Sequence, residues 1–332
     1  MTKMPSKYEI GILRPSDPLE EWNHFVDESP QGCIFCRSWW LEAVCPQGFE
    51  ILVLRKGSGI VAGMPLVTLR KWGYTCVCMP QLTQTLGPLL VPSNRQTYEG
   101  RLSHEMDLLE SLVEAIPDFA YFSVRFHSSL TNWLPFYWAG YEQTTLYSYV
   151  LTDLTNLDQV FSGFAHMKRK NIKKAEKLVE VREDLSAEDL YANHAMTLHR
   201  QGLSILYSYE LFKSIYDAAH RNHAGKTWYA VDDQQNIHAA MFVVFDRKSA
   251  YYLISSIDPD YRNSGAATLL LRDAIAHVSQ YTERFDFEGS MIRGVEGSFR
   301  RFGAVQTPYF QLTKANSLLL KMGLDVRSWL RR

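Results

Sequence analysis

The sequence lacks any long apolar segment. Its apolar runs are short, as in AAMFVVF at 239–245, whereas a membrane span needs roughly 20 such residues. The N-terminal MTKMPSKYEI contains basic residues but no apolar stretch of the kind that signal peptides carry. We therefore expect no membrane span and a cytoplasmic location.

Cysteine is scarce in this sequence. The five cysteines, an odd number, favour reduced thiols over a disulfide framework. Cys33-x-x-Cys36 and Cys76-x-Cys78 have a spacing compatible with a four-thiolate zinc site. Their phenylalanine and tryptophan neighbours favour buried thiols instead, and no other metal-ligand spacing occurs, so no metal is predicted.

The net charge of −1 hides an asymmetry between the two halves. Residues 1–163 carry a net charge of −6 and residues 164–332 one of +5. Neither value is extreme enough to require a nucleic acid as partner. The second half is the better candidate for binding an anionic ligand.

The length and the aromatic content predict two globular domains. A chain of 332 residues with 8 Trp, 18 Tyr and 17 Phe can build two sizeable cores. The polar segment TDLTNLD at 152–158 follows a strand-like run and reads as a boundary. The predicted domains are residues 1–155 and 156–332.

The same order of elements is predicted in both halves. In the first half, periodicity predicts helices at 18–27, 37–44 and 101–116 and strands at 49–54, 60–69, 74–79 and 119–126. In the second half it predicts helices at 157–178, 187–201, 209–221 and 264–280 and strands at 227–231, 237–245, 249–257 and 284–288. The fold class is α/β (α+β): two units, each a mixed, mostly antiparallel sheet flanked by helices.

Three residue pairs separated by 163 positions indicate an internal duplication. They are Phe122 and Phe285, Phe136 and Phe299, and Gly140 and Gly303. A fixed offset between similar residues is typical of repeated units.

The segment 249–280 carries the clearest chemical signal. It reads as a strand, a tight turn, a loop of small residues and a helix, and the loop consists of Arg262, Asn263, Ser264, Gly265, Ala266 and Ala267. Small residues leave backbone N–H groups uncovered at a helix start, where the helix dipole favours a phosphate or pyrophosphate. Arg262 adds a cation. A glutamate at position 265 is expected to abolish binding here, because it would fill this anion site with bulk and charge.

This segment, DPDYRNSGAA, resembles the acyl-CoA loop of the GNAT N-acyltransferases. A strand precedes it, a helix follows it, and FRRFGAV resembles the closing segment of that family. The resemblance implies that residues 262–267, together with Ile257 at the end of the preceding strand, hold the CoA moiety.

The duplicated layout resembles the Fem-type family of tandem GNAT proteins. The similarity extends to KRKNIKKAEK at 168–177, MTLHRQGLSILYSYELF at 196–212 and IVAGMPLVT in the first half. It implies transfer of an acyl group from acyl-CoA to an amine acceptor, such as an amino sugar or a cell-envelope precursor. An alternative is aminoacyl transfer from aminoacyl-tRNA to a peptidoglycan precursor. In either case the first unit would lie on the acceptor side and the second unit would hold the acyl donor.

Two departures from the family pattern bear on activity. Phe299 stands where many GNAT enzymes have the tyrosine that reprotonates the leaving thiolate, and Tyr309 is a candidate substitute. The first half has no counterpart of the loop at 262–267, which is called the donor loop below. A third hypothesis is therefore a non-catalytic binding protein with a decayed site.

Acyl transfer also requires a base that takes a proton from the amine and a hydrogen-bond donor to the thioester oxygen. Backbone N–H groups of residues 255–257 are the candidate hydrogen-bond donors. Asp286 and Glu288 alternate with phenylalanines in RFDFE and are the candidate bases. The alternative is a structural role, with these carboxylates paired to nearby arginines.

Two further segments have both a structural and a functional interpretation. The basic run at 166–177 places Lys170, Lys173, Lys174 and Lys177 on one broad helix face, which is either solvated or in contact with a polyanion such as CoA or tRNA. The aromatic segment 133–149 is either core or an acceptor-binding wall in a cleft between the units.

Overall fold

The computed structural model describes residues 7–71 and 73–316. The helices are α1 (Glu20–Glu28), α2 (Ser38–Val44), α3 (Tyr98–Ala115), α4 (Leu134–Trp138), α5 (Leu157–Ser162), α6 (His166–Ala175), α7 (Ala187–Arg200), α8 (Tyr209–Arg221), α9 (Ala266–Val278) and α10 (Arg293–Phe299). Each helix in this part of the chain is too short or too polar to cross a membrane.

The strands are β1 (Glu9–Leu13), β2 (Glu50–Lys56), β3 (Gly59–Leu66), β4 (Thr68–Lys71), β5 (Tyr74–Cys78), β6 (Leu89–Leu90), β7 (Tyr121–Arg125), β8 (Glu142–Leu151), β9 (Glu180–Glu183), β10 (Gly225–Val231), β11 (Ile237–Phe245), β12 (Ala250–Ile257), β13 (Phe285–Asp286) and β14 (Val305–Ala315). Together with the helices they confirm the predicted fold class of mixed sheets flanked by helices.

The chain forms two compact units. Unit 1 holds the described residues up to Leu146 and those from Pro308 onward, and unit 2 is Tyr147–Thr307. The sequence predicts one boundary near residue 155 instead. The polar segment at 152–158 does end β8, but the chain leaves unit 1 inside that strand and returns to it inside β14.

Unit 1 is built from antiparallel pairs around an aromatic core. Strands β1, β2, β3 and β6 are antiparallel neighbours in that order. Strands β4, β5, β7 and β14 follow one another in the same way, except that β5 and β7 are parallel. The largest fully buried side chains of the unit are Trp22, Trp40, Phe35, Phe122, Phe126 and Phe136.

Unit 2 carries the strands β8, β13, β12, β11, β10 and β9 in that order. Only β12 and β13 are parallel, and they pair over just two residues, Ala250 with Phe285 and Tyr251 with Asp286. Helix α9 packs against β10, β11 and α6. Its buried side chains follow the predicted apolar face and include Leu269, Leu270, Ala274, Ile275 and Val278.

The duplicated residues occupy matching places in the two units. Phe122 and Phe285 lie on β7 and β13, while Phe136 and Phe299 lie on the short helices α4 and α10. Gly140 and Gly303, with φ of +82° and +74°, make the left-handed turn before β8 and β14. The strand after each of these two glycines crosses to the other unit. The end of β8 pairs with β13 of unit 2, and the end of β14 pairs with β7 of unit 1.

The structure corrects two predicted elements that bear on the site. The helix predicted at 157–178 is two helices, α5 and α6. They are separated at 163–165, where Phe164 is buried and the Ala165 N–H donates to the Arg301 carbonyl. The strand predicted at 284–288 ends at Asp286, because Glu288 adopts a φ of +60°.

Candidate functional site

Unit 2 contains a cavity of about 510 Å³ at the beginning of α9. The donor loop forms one wall, and the others come from α6, the C-terminal end of α7, the last residues of β12, and α10. Six of the seven predicted CoA-binding residues line it, namely Ile257, Arg262, Ser264, Gly265, Ala266 and Ala267. The seventh, Asn263, is exposed and lies outside the lining.

The turn before the donor loop is fixed by hydrogen bonds and an ion pair. Asp258 accepts from the Asp260 N–H at 3.0 Å and pairs with Arg200 at 2.7 Å. The Ser264 N–H donates to the Tyr261 carbonyl at 2.8 Å. The loop therefore leaves β12 in one conformation, which favours binding of a ligand without reordering.

Gly265 fits the loop closely against α6. Its φ is +87°, and a Cβ at this position would lie 2.4 Å from the Asn171 carbonyl oxygen. Lys174 ties the two segments together by donating to the Asn263 carbonyl at 2.7 Å. A glutamate at 265 would meet the α6 backbone before it reached the anion site, so a loss of binding in that variant stays a prediction but would have packing as its first cause.

Two backbone N–H groups at the start of α9 have no acceptor among the described residues. They belong to Gly265 and Ala267, while the Ala266 N–H donates to the Ser264 hydroxyl at 3.2 Å. The N-terminal end of a helix carries a partial positive charge, to which such free donors add. This arrangement suits a diphosphate.

Lys168 lines the same cavity and is absent from the sequence-based candidates. Its ammonium donates to the Ser298 hydroxyl at 2.9 Å and lies 4.0 Å from the centre of the Phe302 ring. Burial, together with the charge of Arg301, lowers the pKa of Lys168 to about 8. The sequence does contain one indication that Lys168 faces inward. It stands four residues before Ile172 and seven before Ala175, so it shares a helix face with these two buried residues.

Tyr252 lies in the cavity wall beside Phe299. Its hydroxyl donates to the Ser255 hydroxyl at 2.7 Å, and its ring meets Phe299 edge-on at 6.3 Å. Burial raises the pKa of Tyr252 to about 12, so the hydroxyl stays protonated. The family pattern places a tyrosine at 299, and the structure brings another tyrosine next to that position.

The end of β12 has an open edge beside the cavity. Its pairing with β13 stops at Tyr251, so within the described residues the backbone of 252–257 has no strand partner on that side. Ser255 and Ile257 line the cavity. His194 donates from Nδ1 to the Ser255 carbonyl at 3.0 Å, in the tautomer that carries a proton there. Two of the three residues predicted to supply a backbone N–H therefore lie at the cavity, whereas Ser256 pairs with Ala240 of β11.

The carboxylates predicted as bases do not line the cavity. Asp286 accepts from the Ser148 hydroxyl and, at 2.6 Å, from the Glu288 N–H. Because β13 ends at Asp286, the alternation argument does not extend to Glu288. Tyr309, the candidate acid, lies on β14 in unit 1, whereas all residues that line the cavity belong to unit 2.

The basic run divides into residues with different roles. Lys170 and Lys173 are exposed on α6, and Lys177 lies beyond its end. Lys174 supports the donor loop, as described above. Of the predicted four-lysine face, Lys170 and Lys173 are the two helical members that bind neither a carbonyl nor a carboxylate among the described residues.

All five cysteines are free thiols, and four of them are buried. Cys33 and Cys36 place their sulfurs 4.0 Å apart in unit 1. No group of three or more His, Cys, Asp or Glu side chains in the described part of the chain is arranged to hold a metal ion.

Residues 163–297 match the family model of the acetyltransferase (GNAT) domain. This range contains α6, the donor loop and most of the cavity wall. No curated protein sequence matches the chain.

Several solved structures have a similar fold. FemX has a TM-score of 0.67 at 12% identity, covering 90% of this chain and 96% of its own. A tandem GNAT protein from the clavulanic acid biosynthesis pathway has a TM-score of 0.56 at 13% identity, with coverages of 93% and 99%. The C-terminal domain of a putative lysylphosphatidylglycerol synthetase from Agrobacterium fabrum reaches 0.52 at 13% identity, with coverages of 88% and 91%.

Proposed function

We propose that this chain, a tandem GNAT-fold protein of the Fem type with a GNAT acetyltransferase domain at residues 163–297, transfers an acyl group from acyl-CoA to an amine. Unit 2 would hold the donor. The acceptor would be a small amine, such as an amino sugar or a cell-envelope precursor.

The free N–H groups of Gly265 and Ala267 carry this proposal. They stand at the first turn of α9, in the wall of a cavity that also contains Lys168 and Arg262. Amide donors, a helix N-terminus and the Arg262 guanidinium together fit the diphosphate of CoA, which leaves Lys168 for the thioester end of the donor. The apolar part of the same wall, with Phe299 and Val295, suits the pantetheine arm.

The reaction needs one bond made and one broken. The amine nitrogen attacks the thioester carbon, the C–S bond breaks, the nitrogen loses a proton and the thiolate gains one. A backbone N–H on the open edge of β12 would stabilise the carbonyl oxygen as its negative charge develops. The donor held by α9 would place the thioester along that edge.

Lys168 would protonate the thiolate in the absence of a tyrosine at 299. Its pKa of about 8 lies close to that of an ordinary thiol, and matched values favour proton transfer. Ser298 would orient the ammonium through its hydrogen bond. Asp286, held by Ser148, would act by positioning β13 and would not exchange protons with the substrate.

Calorimetry with CoA and an assay of thiol release from acetyl-CoA with a panel of amines test the proposed function. We expect micromolar to millimolar CoA affinity and amine-dependent thiol release. If CoA does not bind, the proposal is wrong. CoA binding with no transfer to any amine would favour the non-catalytic hypothesis.

Replacement of Lys168 by methionine should slow acyl transfer by about 100-fold, in the range for a lost general acid. With an acceptor amine that stays neutral, the wild-type rate should fall as pH rises through about 8, because the protonated lysine disappears. Lys168→Met should lose this alkaline limb. Single-turnover thiol release from pH 6 to 10 gives both results.

Two variants control for charge and for surface substitution. Lys168→Arg keeps a cation, so CoA should still bind, but arginine does not give up its proton in this pH range and the rate should stay low. Lys213→Met, which removes an exposed lysine from α8, should leave the profile unchanged. A wild-type alkaline limb that persists in Lys168→Met would contradict the assignment.

Aminoacyl transfer from tRNA is a second candidate, supported by the exposed Lys170 and Lys173 on α6. Reversing both charges should abolish a gel shift with aminoacyl-tRNA and spare CoA binding. Lys174 is left out of the variant because its reversal would release the donor loop. A gel shift that survives the double reversal would exclude α6 as the tRNA contact.

A further inference from the structure

Unit 1 contains a cavity of about 580 Å³ that the proposed donor site does not use. It lies between α3, the segment after β6 and the residues that lead into α4. Buried Leu108 and Gln31 form part of its wall. Its volume is in the range of cavities that bind small organic ligands.

Glu105 supplies a carboxyl group to this cavity. Its side chain is half-buried on α3 and forms no ion pair with a described residue. The nearby Arg101 guanidinium donates at 2.8 Å to the Gln96 carbonyl. Burial raises the pKa of Glu105, while the neighbouring Asn132 amide opposes the shift. A carboxylate in this setting is stabilised by a cation that enters the cavity.

Asn132 adds a hydrogen-bond donor beside the carboxyl group. Its Oδ1 accepts from the Leu134 N–H at 3.2 Å. Its Nδ2 is buried and lies close enough to the Glu105 carboxyl group to oppose the rise of its pKa, but without the geometry of a normal hydrogen bond to any described residue. A buried donor left in this state costs free energy, which a ligand oxygen would recover.

Trp133 gives the cavity an aromatic wall. It is half-buried and meets Tyr137 edge-on at 5.4 Å, and Tyr98 lies on the rim with 73% of its surface exposed. Aromatic faces bind the apolar side of a ligand and attract ammonium groups.

We infer that this cavity binds a primary amine that carries an oxygen acceptor next to its ammonium group. The ammonium would pair with Glu105, the oxygen would accept from Asn132, and the body of the ligand would pack on Trp133. Amino sugars and α-amino amides share this chemistry. The inference concerns unit 1 alone and stands without the acyl-transfer proposal.

Calorimetry on the full chain, with no acyl donor present, tests the inference. The probes are glucosamine and phenylalaninamide, each compared with its N-acetyl counterpart, in which a neutral acetamide replaces the ammonium and the rest of the molecule is unchanged. We expect at least one amine to bind at least tenfold more tightly than its acetylated form. The probe that binds more tightly shows whether the cavity prefers an amino sugar or an α-amino amide.

Glu105→Gln should remove this preference, with a loss of about tenfold or more in affinity for the amine. Glu110→Gln, an exposed change on the same helix, should have no effect. Trp133→Leu should weaken the amine and its acetylated form alike. The inference is overturned if neither amine binds at millimolar concentration, or if Glu105→Gln keeps the preference. CoA binding, measured separately, would be unaffected by either result.

Discussion

Replacing Ala267 by glutamate is expected to weaken CoA binding by about 100-fold or more, because it sets a carboxylate against the diphosphate and like charges in contact cost several kcal/mol. Ala267 lies in the first turn of α9, where its N–H is free among the described residues and its side chain lines the cavity. Because Ala267 is only half-buried, the longer side chain fits without displacing the core. Isothermal titration with CoA measures the loss.

The matched control is Ala276→Glu. It makes the same change on the same helix at a half-buried position outside the cavity. CoA affinity should be unchanged, and the melting temperatures of both variants should show that the fold is kept. If Ala267→Glu binds CoA as tightly as the wild type, the diphosphate does not lie at the start of α9 and the donor site is misplaced.

Gly265→Ala is expected to lower the free energy of unfolding by about 2–5 kcal/mol. A left-handed alanine costs about 1–2 kcal/mol, and forcing apart the loop and α6 adds about 1–3 kcal/mol. The second contribution arises because the new Cβ would lie 2.4 Å from the Asn171 carbonyl oxygen. Urea unfolding followed by circular dichroism measures the change.

Gly202→Ala separates the two contributions. Gly202 also lies in unit 2 and has a φ of +73°, but a Cβ there meets nothing within 4 Å. The free energy of unfolding of Gly202→Ala should therefore fall by only about 1–2 kcal/mol. Equal losses for the two variants would mean that close packing of the loop against α6 does not fix the donor site.

Local sequence patterns predicted most of the helices and strands. The amphipathic periods of α3 and α9 and the apolar runs of β11 and β12 depend on residues near in sequence, and their positions agree with the prediction to within a few residues. Strand β14 was missed, since it contains Pro308, which is unfavourable in a strand.

The candidate site was predicted only in part, because some of its residues are brought together from distant parts of the sequence. The donor loop is contiguous, so its residues could be found together. Lys168 depends on the rotation of α6 and on Ser298, which lies 130 residues further along the chain. Gly265 was selected from the sequence for its uncovered N–H alone, whereas the structure shows that its lack of a side chain also makes room for the Asn171 carbonyl.

The exchange of β8 and β14 determines when each unit can be completed during translation. Unit 2 has all of its strands once residue 307 has left the ribosome, whereas β7 of unit 1 has to wait for β14, the last strand of the described chain. The unit that is started first is thus finished last. Until then one edge of β7 is bare, and a nascent chain stalled or cut before residue 308 would expose it to pairing with other molecules.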